Sequence, residues 1–404
     1  MTTLNPLKSK RILLGVSGSI AAYKAADLVR KLREAEVEVR VVMTAAAQRF
    51  VSPLTFQALS GKPVHTELMD LAQEAAMGHI TLARWADLLL IAPASANFLA
   101  RLAQGLADDL LAAVCLATSA PVAVIPSMNQ QMWQAAATQN NIATLHSRGV
   151  QVWGPARGSQ ACGEWGLGRM LESQDLLERV IRSFTAPCLA GRSVLVTAGP
   201  TRESLDPVRF LSNRSSGKMG YALAAAAAEA GARVVLISGP VALDPPLGVE
   251  RFQVESAQQM YTTTLAQITA VDILIGCAAV ADYRPVKQVE QKIKKTDQNL
   301  ILVLEQSPDI LEQVGRLANK PFMVGFAAET DNLEANAECK LKAKNLDLIA
   351  ANSIKNGQGF DMDENTLTVI WSGGKAELST APKIHLARML IKLIAKHYDA
   401  KNPA

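Results

Sequence analysis

The sequence predicts an α/β protein made of two doubly wound, Rossmann-like domains. Two segments open in the same way, with an apolar strand, a turn of small residues and a helix: "RILLGVSGSIAAYKAADLVRKL" from Arg11 and "RSVLVTAGPTRE" from Arg192. After each of them, apolar runs alternate with helical stretches, as parallel strands and their crossover helices do. The length of 404 residues allows two or three domains. Each opening therefore predicts the first unit of a separate, mostly parallel sheet.

The remaining strands are predicted from short apolar runs bounded by turn residues. In the first half these runs are "VEVRVVMT", "DLLLIAP", "PVAVIPSM" and "VQVWGPA". In the second half they are "ARVVLISGP", "DILIGCAAV", "FMVGFAAE", "DLIAANS" and "TLTVIWSGG", before an amphipathic helix that ends near "IAKHYDA". Pro and Gly in "FTAPCLAG" predict the boundary between the halves. The expected domains are residues 1–187 and 188–404.

Composition narrows the possible classes of protein. Hydrophobic residues make up 49% of the chain and charged residues 19%, as in a globular protein with a substantial core. The 41 basic and 37 acidic residues are spread along the sequence, so the net charge of +4 forms no basic arm for nucleic acid. The five cysteines are never spaced C-x-x-C, which argues against a disulfide framework or a zinc site and favours a reducing cytoplasm.

No targeting segment and no membrane span are expected. The N-terminal "MTTLNPLKSKR" lacks the apolar core of a signal peptide. The most apolar stretch, "LLAAVCLATSAPVAVI", follows two aspartates and contains Pro121, so we interpret it as a helix, a turn and a buried strand.

The first half carries a weak signal for a phosphate group. Ser17, Gly18 and Ser19 follow the first strand at a helix N-terminus, where backbone N–H groups and hydroxyls can bind an anion. Small residues in such a turn can also serve packing alone. The G-x-G-x-x-G spacing is missing and the second strand ends in Thr44 rather than an acidic residue, so a mononucleotide fits better than NAD.

Four further positions in this half admit two interpretations each. Ser95 is either a ligand contact at the carboxyl edge of the sheet or an ordinary helix cap. Asn129 either binds a substrate carboxylate or satisfies a turn, and His79 is either a general base or a cap or surface group at a helix start. Cys162, in "ACGEWGLGRM", is either a chemical participant or a small apolar side chain in a turn, since free cysteine often packs as a hydrophobe.

The second half carries a stronger signal for a charged ligand. "SNRSSGKMG" places residues 213–218 between a strand and an alanine-rich helix, where their donors form a cradle for an anion. The stretch is not a Walker A loop, because that motif requires Gly and Ser or Thr at positions that hold Ser212 and Met219.

A lysine run further along the chain could act on the same ligand. "GCAAVADYRP" contributes Asp282 after a strand, and "QKIKK" contributes Lys292, Lys294 and Lys295. These lysines are either a solvated surface or cations that neutralise a triphosphate and the charge that develops when its α-phosphate is attacked.

Two predicted helices add further candidates. "SPDIL" indicates a helix start at Pro308 and Asp309, and "VGFAAET" carries Phe326 after a strand. Lys340 and Lys344 are four residues apart on a predicted helix, so both cations lie on one face.

The motif order "SGSIAAYK", "H-x-x-L-x-x-WAD", "PASAN", "PSMNQQMW" and "ACGEWGLGRM" resembles that of the flavin-containing cysteine decarboxylases over nearly the whole first half. The resemblance implies a flavodoxin-like flavoprotein domain that binds FMN. Loss of CO₂ needs an electron sink, which oxidation of the substrate thiol to a thioaldehyde by the flavin supplies. The implied roles are FMN contacts at Gly18, Ser19, Thr44 and Ser95, a base at His79, a carboxylate-binding amide at Asn129 and a final proton donor at Cys162.

The resemblance also implies a role for the glycines around Cys162. Gly163, Gly166 and Gly168 predict a mobile flap that closes over the substrate and brings Cys162 to the flavin, because glycine permits turns that other residues resist.

The motifs "SNRSSGKMG", "AAVADYRP", "KIKK" and "GFAAET" resemble those of the phosphopantothenate–cysteine ligases. The resemblance implies that CTP and Mg²⁺ convert the carboxylate of 4′-phosphopantothenate into an acyl-cytidylate, and that cysteine then displaces CMP. Asn213 would handle the acyl-cytidylate, Lys292 would bind the nucleotide and assist catalysis, and Asp282 would contact Mg²⁺ or the nucleotide. The other implied nucleotide-binding positions are Gly276, Cys277, Ala278, Pro308, Asp309, Ile310, Leu311, Phe326, Lys340 and Lys344.

Together the halves resemble the bacterial bifunctional enzymes of coenzyme A biosynthesis. The ligase product, 4′-phospho-N-pantothenoylcysteine, would then be the substrate of the decarboxylase, which yields 4′-phosphopantetheine. The resemblance also implies a homo-oligomer, with trimers of the first half and dimers of the second building a dodecamer. Two alternatives stay open: a flavin oxidoreductase fused to an unrelated nucleotide-binding domain, and a non-catalytic protein of the same fold. Non-catalytic members can lack the set of His, Asn and Cys that this chain has.

Overall fold

The computed structural model describes residues 5–68, 78–294, 300–329, 331–353 and 362–403. They form two compact units, Asn5–Phe184 and Thr185–Ala404, each with its own hydrophobic core. In the ranges described, no helix combines the length and the apolarity needed to cross a bilayer.

The first unit alternates strands and helices. Its strands are β1 Arg11–Val16, β2 Glu38–Met43, β3 Val64–His65, β4 Leu88–Ala94, β5 Val122–Pro126, β6 Gln151–Val152, β7 Ala156–Ser159 and β8 Trp165–Arg169. Its helices are α1 Ala22–Glu34, α2 Pro53–Ser60, α3 Gly78–Trp85, α4 Ala96–Gln104, α5 Leu110–Ala117, α6 Gln130–Gln134, α7 Ala136–Ser147 and α8 Ser173–Phe184.

A six-stranded parallel sheet forms the centre of this unit, in the order β3-β2-β1-β4-β5-β6. Without the two-residue edge strand β3, the order is that of a flavodoxin-like sheet, with its switch point between β1 and β4. Successive residues of β1 face opposite layers, since Ile12 and Leu14 pack in one buried cluster and Leu13 packs in the other. The predicted doubly wound architecture is confirmed here.

The strands β7 and β8 form a separate antiparallel hairpin, and Cys162 lies in its tip. The sequence predicted a flap here but no strands. In β8 the buried positions are Gly166 and Gly168, whereas Trp165, Leu167 and Arg169 are exposed.

The second unit has the same alternation with additional strands. Its strands are β9 Ser193–Ala198, β10 Arg202–Ser204, β11 Phe210–Ser212, β12 Arg233–Ser238, β13 Val249–Gln253, β14 Ile273–Gly276, β15 Tyr283–Pro285, β16 Leu304–Gln306, β17 Phe322–Glu329, β18 Leu348–Ser353, β19 Glu364–Trp371 and β20 Gly374–Pro382. Its helices are α9 Lys218–Glu229, α10 Ala257–Gln267, α11 Ile310–Gly315, α12 Leu333–Ala343 and α13 Lys383–Lys401.

The central sheet of the second unit has the order β13-β12-β9-β14-β17-β18-β19-β20. The first six strands are parallel and β19 and β20 are antiparallel additions, so the prediction of a mostly parallel sheet is confirmed. The alanine-rich α9 packs closely on β9, because a Cβ at Gly220 would lie 2.5 Å from the Cβ of Ala198. Two short antiparallel strand pairs, β10–β11 and β15–β16, were not predicted.

Candidate functional sites

Polar groups gather at the carboxyl edge of the first sheet, on both sides of its switch point. The hydroxyls of Ser19, after β1, and Ser127, after β5, lie 2.8 Å apart. No side chain caps the N-terminus of α1, which follows Ala21. Gly18 lets the loops after β1 and β2 meet, because a Cβ there would lie 2.6 Å from the Cβ of Ala46. This arrangement of loops and a helix N-terminus suits the phosphate of a mononucleotide.

Three other hydroxyls at this edge have structural partners. Ser17, which is buried, donates to the carbonyl of Pro93 and accepts from the N–H of Ser95, both at 2.8 Å. Ser95 in turn accepts from the third backbone N–H of α4, and Thr44 accepts from the N–H of Ala47. Ser95 is therefore a helix cap, as one of its two interpretations predicted, and its hydroxyl proton can still be donated to a ligand.

Asn129 and Cys162 lie together at the hairpin tip. Asn129 is the N-cap of α6, where its Oδ1 accepts from the N–H of Gln131 at 2.7 Å. Its Nδ2 donates to Cys162 Sγ at 3.3 Å and to Glu164 Oε2 at 2.8 Å. Gln130 Nε2 also donates to Glu164 Oε2, at 3.2 Å. The tip of the hairpin is thus hydrogen-bonded to the start of α6 through Glu164, a residue that sequence reasoning did not single out.

Glycines let the hairpin approach α6 this closely. A Cβ on Gly168, whose φ is +140°, would lie 2.3 Å from the carbonyl oxygen of Met128, and one on Gly166 would lie 2.0 Å from Gln130 Oε1. The N–H of Met128 donates to the carbonyl of Gly168 at 2.9 Å. Gly163 lies in the turn itself, with φ +84°. Gly166 and Gly168 therefore serve close approach, and the mobility of the predicted flap stays a prediction.

A buried lysine anchors the base of the hairpin to α1. Lys24 Nζ donates to the carbonyl of Met170 at 3.0 Å and to Glu172 Oε1 at 2.8 Å. The hydrogen bond from Lys24 lowers the pKa of Glu172 below its ordinary value. Sequence reasoning missed this anchor, because a lysine within a helix is usually exposed to solvent.

His79 lies near the start of α3. Since α3 leads back into β4, its N-terminal end is on the side of the carboxyl edge of the sheet. Among the described residues, no hydrogen bond joins His79 to Asn129 or Cys162. The chain thus brings two of the three predicted decarboxylase residues together, and the role of His79 stays a prediction.

A cleft with a volume of about 940 Å³ opens at the carboxyl edge of the second sheet. Apart from the lysine run that begins at Lys292, every predicted ligand-binding residue of the ligase half lines it. These lining residues are Asn213, Gly276, Cys277, Ala278, Asp282, Pro308, Asp309, Ile310, Leu311, Phe326, Lys340 and Lys344. They come from loops and helices that are far apart in the sequence, as expected where parallel strands end together.

The amino end of α9 forms one wall of the cleft. Its N-cap is Gly217, at φ +75°, and no side chain in the described ranges caps the helix. A Cβ on Gly217 would lie 2.8 Å from Val241 Cγ1, so the turn is closely packed. Ser215 and Ser216 also line the cleft. The wall therefore presents hydroxyls and an uncapped helix N-terminus, both suited to an anion.

Cationic side chains lie elsewhere on the cleft walls. Lys340 Nζ is 2.7 Å from Glu329 Oε1, and Lys344 Nζ is 2.8 Å from Asp309 Oδ2. Asp309 also caps α11, as the predicted helix start required. A further cleft lysine, Lys383, is buried at the start of α13 and was not predicted.

Two of the predicted cleft residues have defined structural contacts. Asn213 Nδ2 donates to the carbonyl of Val280 at 2.9 Å, which ties the loop before α9 to the segment after β14. Burial raises the pKa of the Cys277 thiol to about 12, so this group is neutral at physiological pH. Cys277 therefore contributes a small side chain, and not a nucleophile, to the cleft.

Asp282 is an exposed carboxylate of the cleft, and its backbone carbonyl accepts from the N–H of Ser307 at 2.8 Å. The buried Oγ of Ser307 lies on the same cleft and has no hydrogen-bond partner among the described residues. In the part of the chain that the structure describes, no group of three His, Cys, Asp or Glu side chains could hold a metal by itself. Mg²⁺ in nucleotide sites takes one or two carboxylates together with phosphate oxygens, and Asp282 fits that pattern.

Lys292 lies outside the cleft lining, in a segment that is held by a buried aspartate, Asp206. Asp206 accepts from the backbone N–H groups of Val208, Arg209 and Ile293 at 2.8, 2.9 and 3.0 Å. Desolvation alone would raise the pKa of Asp206, but these hydrogen bonds outweigh it and lower the pKa to about 2. The exposed Lys292 thus directly precedes the anchored residue Ile293.

The lysine run extends past the described residues. Lys294 is exposed, and Lys295 lies outside the described residues. Sequence reasoning missed the Asp206 anchor. The dipeptide of Asp206 and the proline after it could have indicated a turn, because aspartate side chains in turns commonly accept hydrogen bonds from backbone N–H groups two residues further along the chain.

Two open, mostly parallel sheets with polar groups at their carboxyl edges define a two-domain α/β protein of the doubly wound class. Residues 1–185 match the family described as Flavoprotein, and residues 189–398 match the family described as DNA/pantothenate metabolism flavoprotein C-terminal domain.

Curated relatives span nearly the whole chain and share one description, coenzyme A biosynthesis bifunctional protein CoaBC. The protein from Vibrio vulnificus (strain CMCP6) is 53% identical over 97% of this chain and 98% of its own. The proteins from Escherichia coli (strain K12) and Bacillus subtilis (strain 168) are 50% and 46% identical, over 98% and 96% of this chain and 99% and 97% of their own. This chain belongs to the CoaBC family. It is a bifunctional enzyme of coenzyme A biosynthesis, with a flavoprotein decarboxylase half followed by a ligase half.

Proposed function

We propose that the second unit joins cysteine to 4′-phosphopantothenate with CTP as co-substrate. The observation that carries this proposal is the single cleft in which the uncapped N-terminus of α9 and the lysines Lys340 and Lys344 all lie. Such a site would neutralise a triphosphate and the charge that develops when a carboxylate oxygen attacks its α-phosphate. The preference for CTP rests on the family resemblance.

The ligase reaction assigns a role to each part of the cleft. The substrate carboxylate forms a bond to the α-phosphorus, pyrophosphate leaves, and the amine of cysteine then attacks the acyl carbon and expels CMP. Asn213 would position the acyl-cytidylate, and Lys292 would offset the negative charge as the two anions meet. Asp282 would hold Mg²⁺ against the phosphate oxygens. The segment from Gly276 to Ala278, with Phe326, would hold the nucleoside.

We propose further that the first unit decarboxylates the ligase product, 4′-phospho-N-pantothenoylcysteine. Gly18, Ser19, Thr44 and Ser95 would hold FMN at the carboxyl edge, where Ser19 and Ser127 already converge. When bound, FMN supplies the electron sink that decarboxylation needs.

Residues of the chain itself would transfer the protons and bind the substrate carboxylate in this reaction. His79 would take the proton of the substrate thiol, and the Asn129 amide would hold the substrate carboxylate. Cys162 would donate a proton to the enethiol left by loss of CO₂. The contact of 3.3 Å between Asn129 and Cys162 supports these last two roles, because both must act at one end of the substrate.

One incubation tests both halves. Purified protein is mixed with 4′-phosphopantothenate, cysteine, CTP and Mg²⁺, and pyrophosphate, CO₂ and 4′-phosphopantetheine are measured. We expect all three, with pyrophosphate lost when the divalent cation is chelated. Pyrophosphate without CO₂ would leave only the ligase proposal standing, and absence of both would end the two proposals. Release of FMN from the purified protein, followed by its absorbance, checks the cofactor independently.

The proposal includes a cytoplasmic homo-oligomer, a dodecamer built from trimers of first units and dimers of second units. Large hydrophobic side chains are exposed on each unit, among them Ile20 and Tyr23 on the first and Ile301 and Val303 on the second. Such side chains favour burial against another copy. Light scattering on the eluted protein measures the mass directly, and a monomer would contradict this part of the proposal.

A further inference from the structure

We propose that Glu164 is an internal stand-in for the substrate carboxylate, and that it delivers Cys162 to the active site only after CO₂ has left. The inference rests on the proposed decarboxylase role of Asn129. It adds a positioning residue, Glu164, and an order of events to that reaction.

The orientation of Asn129 is the first support. Its Oδ1 is occupied by the N–H of Gln131, so its amide nitrogen is the group that faces the hairpin tip. That nitrogen has two hydrogens to donate. In the structure it donates to a carboxylate, Glu164 Oε2, and to Cys162 Sγ. A substrate carboxylate bound to the same amide would compete with Glu164 for these hydrogens.

The covalent link between Glu164 and Cys162 is the second support. The two residues are separated by Gly163 in one exposed turn, so docking or release of the Glu164 carboxylate moves the Cys162 thiol with it. Gln130 Nε2 adds a second hydrogen bond to the docked carboxylate. In this docked arrangement the thiol lies 3.3 Å from the Asn129 amide.

The hairpin is built so that its tip can move by itself. Its base is held by Lys24 and by the backbone bond between Met128 and Gly168. At the tip, residues 161–164 are exposed, and among the described residues no atom lies within 4 Å of the position that a Cβ on Gly163 would take. A swing of residues 161–164 therefore displaces no buried side chain of the tip.

The order of events follows from this competition. While the substrate carboxylate occupies the Asn129 amide, Glu164 is displaced and Cys162 is held away. When that carboxylate leaves as CO₂, its bonding electrons remain on the substrate, which has no carboxylate left to compete. Glu164 then returns to the amide and Cys162 arrives to give its proton. The device prevents the proton donor from reaching the substrate too early.

The test compares Glu164→Ala and Glu164→Gln with wild-type protein. For Glu164→Ala we expect the rate of CO₂ release in a single turnover, with enzyme in excess of substrate, to stay within about twofold of wild type, and half-saturation to fall to a lower concentration, because the internal competitor is gone. Formation of the thiol product should slow about tenfold, the effect of one lost net hydrogen bond, so that an oxidised intermediate accumulates. Glu164→Gln keeps an acceptor oxygen and should lie between the two. Glu34→Ala removes an exposed carboxylate of α1 and serves as the control.

A second measurement needs no turnover. In the substrate-free protein, iodoacetamide should alkylate Cys162 faster in Glu164→Ala than in wild type, as followed by mass spectrometry of the peptide. Equal product formation and equal alkylation in wild type and Glu164→Ala would overturn the inference, as would loss of CO₂ release in that variant. Cys162→Ser in the same assay tests the proposed function separately: if it makes normal product, the role of Cys162 fails, whatever Glu164 does.

Discussion

Replacing Gly168 by alanine should separate decarboxylation from completion of the product. Two costs follow from the structure. An alanine at φ +140° is strained by about 1–3 kcal/mol. Its Cβ would also lie 2.3 Å from the carbonyl oxygen of Met128, a backbone atom that must move, and such overpacking costs about 1–3 kcal/mol.

Both free-energy costs disfavour the arrangement in which the hairpin packs against the start of α6, because Gly168 there also accepts the hydrogen bond from the N–H of Met128. A loss of only about 2 kcal/mol would lower the docked population roughly 30-fold. In a single turnover we therefore expect Gly168→Ala to release CO₂ but to form 4′-phosphopantetheine at least about tenfold more slowly, since Cys162 no longer reaches Asn129. Mass spectrometry of the products would detect an intermediate two hydrogens short of the product.

Gly149→Ala is the matched control. Gly149 has φ +81°, so alanine there carries backbone strain, but no atom lies within 4 Å of its added Cβ. The control should lose some thermal stability and keep the ratio of CO₂ to product. If Gly168→Ala completes the product as fast as Gly149→Ala does, close approach of β8 to Met128 is not required for the last step.

Three further predictions concern the ligase half. The pKa of Asp206 is about 2, below its ordinary 3.8, so its stabilising effect should be present above about pH 4 and lost as pH falls toward 2. Asp206→Asn should abolish this part of the acid dependence of stability. The measurement is unfolding followed by circular dichroism between pH 2 and 4, and an unchanged curve would contradict the prediction. Lys344→Met should raise the KM for CTP about tenfold, measured by pyrophosphate release, because one charge-assisted contact is lost. The control Lys375→Met removes an exposed lysine and should leave this KM unchanged, and equal KM values in the two variants would remove Lys344 from the nucleotide site. Since desolvation raises the pKa of Cys277 to about 12, iodoacetamide at pH 8 should label the exposed Cys339 and spare Cys277; similar labelling of the two would contradict the raised pKa.

The strands of the fold were predictable where the pattern of apolar residues in the sequence matches the burial of each strand. The strands β1 and β9 are apolar on both faces because helices cover both sides of a parallel sheet, and such runs stand out in the sequence. The hairpin β7–β8 was missed for the opposite reason. Its inward positions are Gly166 and Gly168 and its outward ones include Trp165 and Leu167, so its alternation is reversed relative to an ordinary half-buried strand. Close approach of a backbone, rather than burial of side chains, determines that pattern.

The candidate sites were predictable one residue at a time, but their pairings were not. Asn129 and Cys162 were both named from the sequence, yet the residue that joins them, Glu164, has no local signal, since a glutamate in a glycine-rich turn is ordinarily a solvated surface group. Its importance depends on the Asn129 side chain being fixed by α6, thirty-five positions away along the chain. The same holds for Asp206 and Ile293, whose bond joins two loops that are eighty-seven positions apart. Sequence patterns identify side chains that can do chemistry, whereas their coupling depends on which loop ends the sheet brings to one edge.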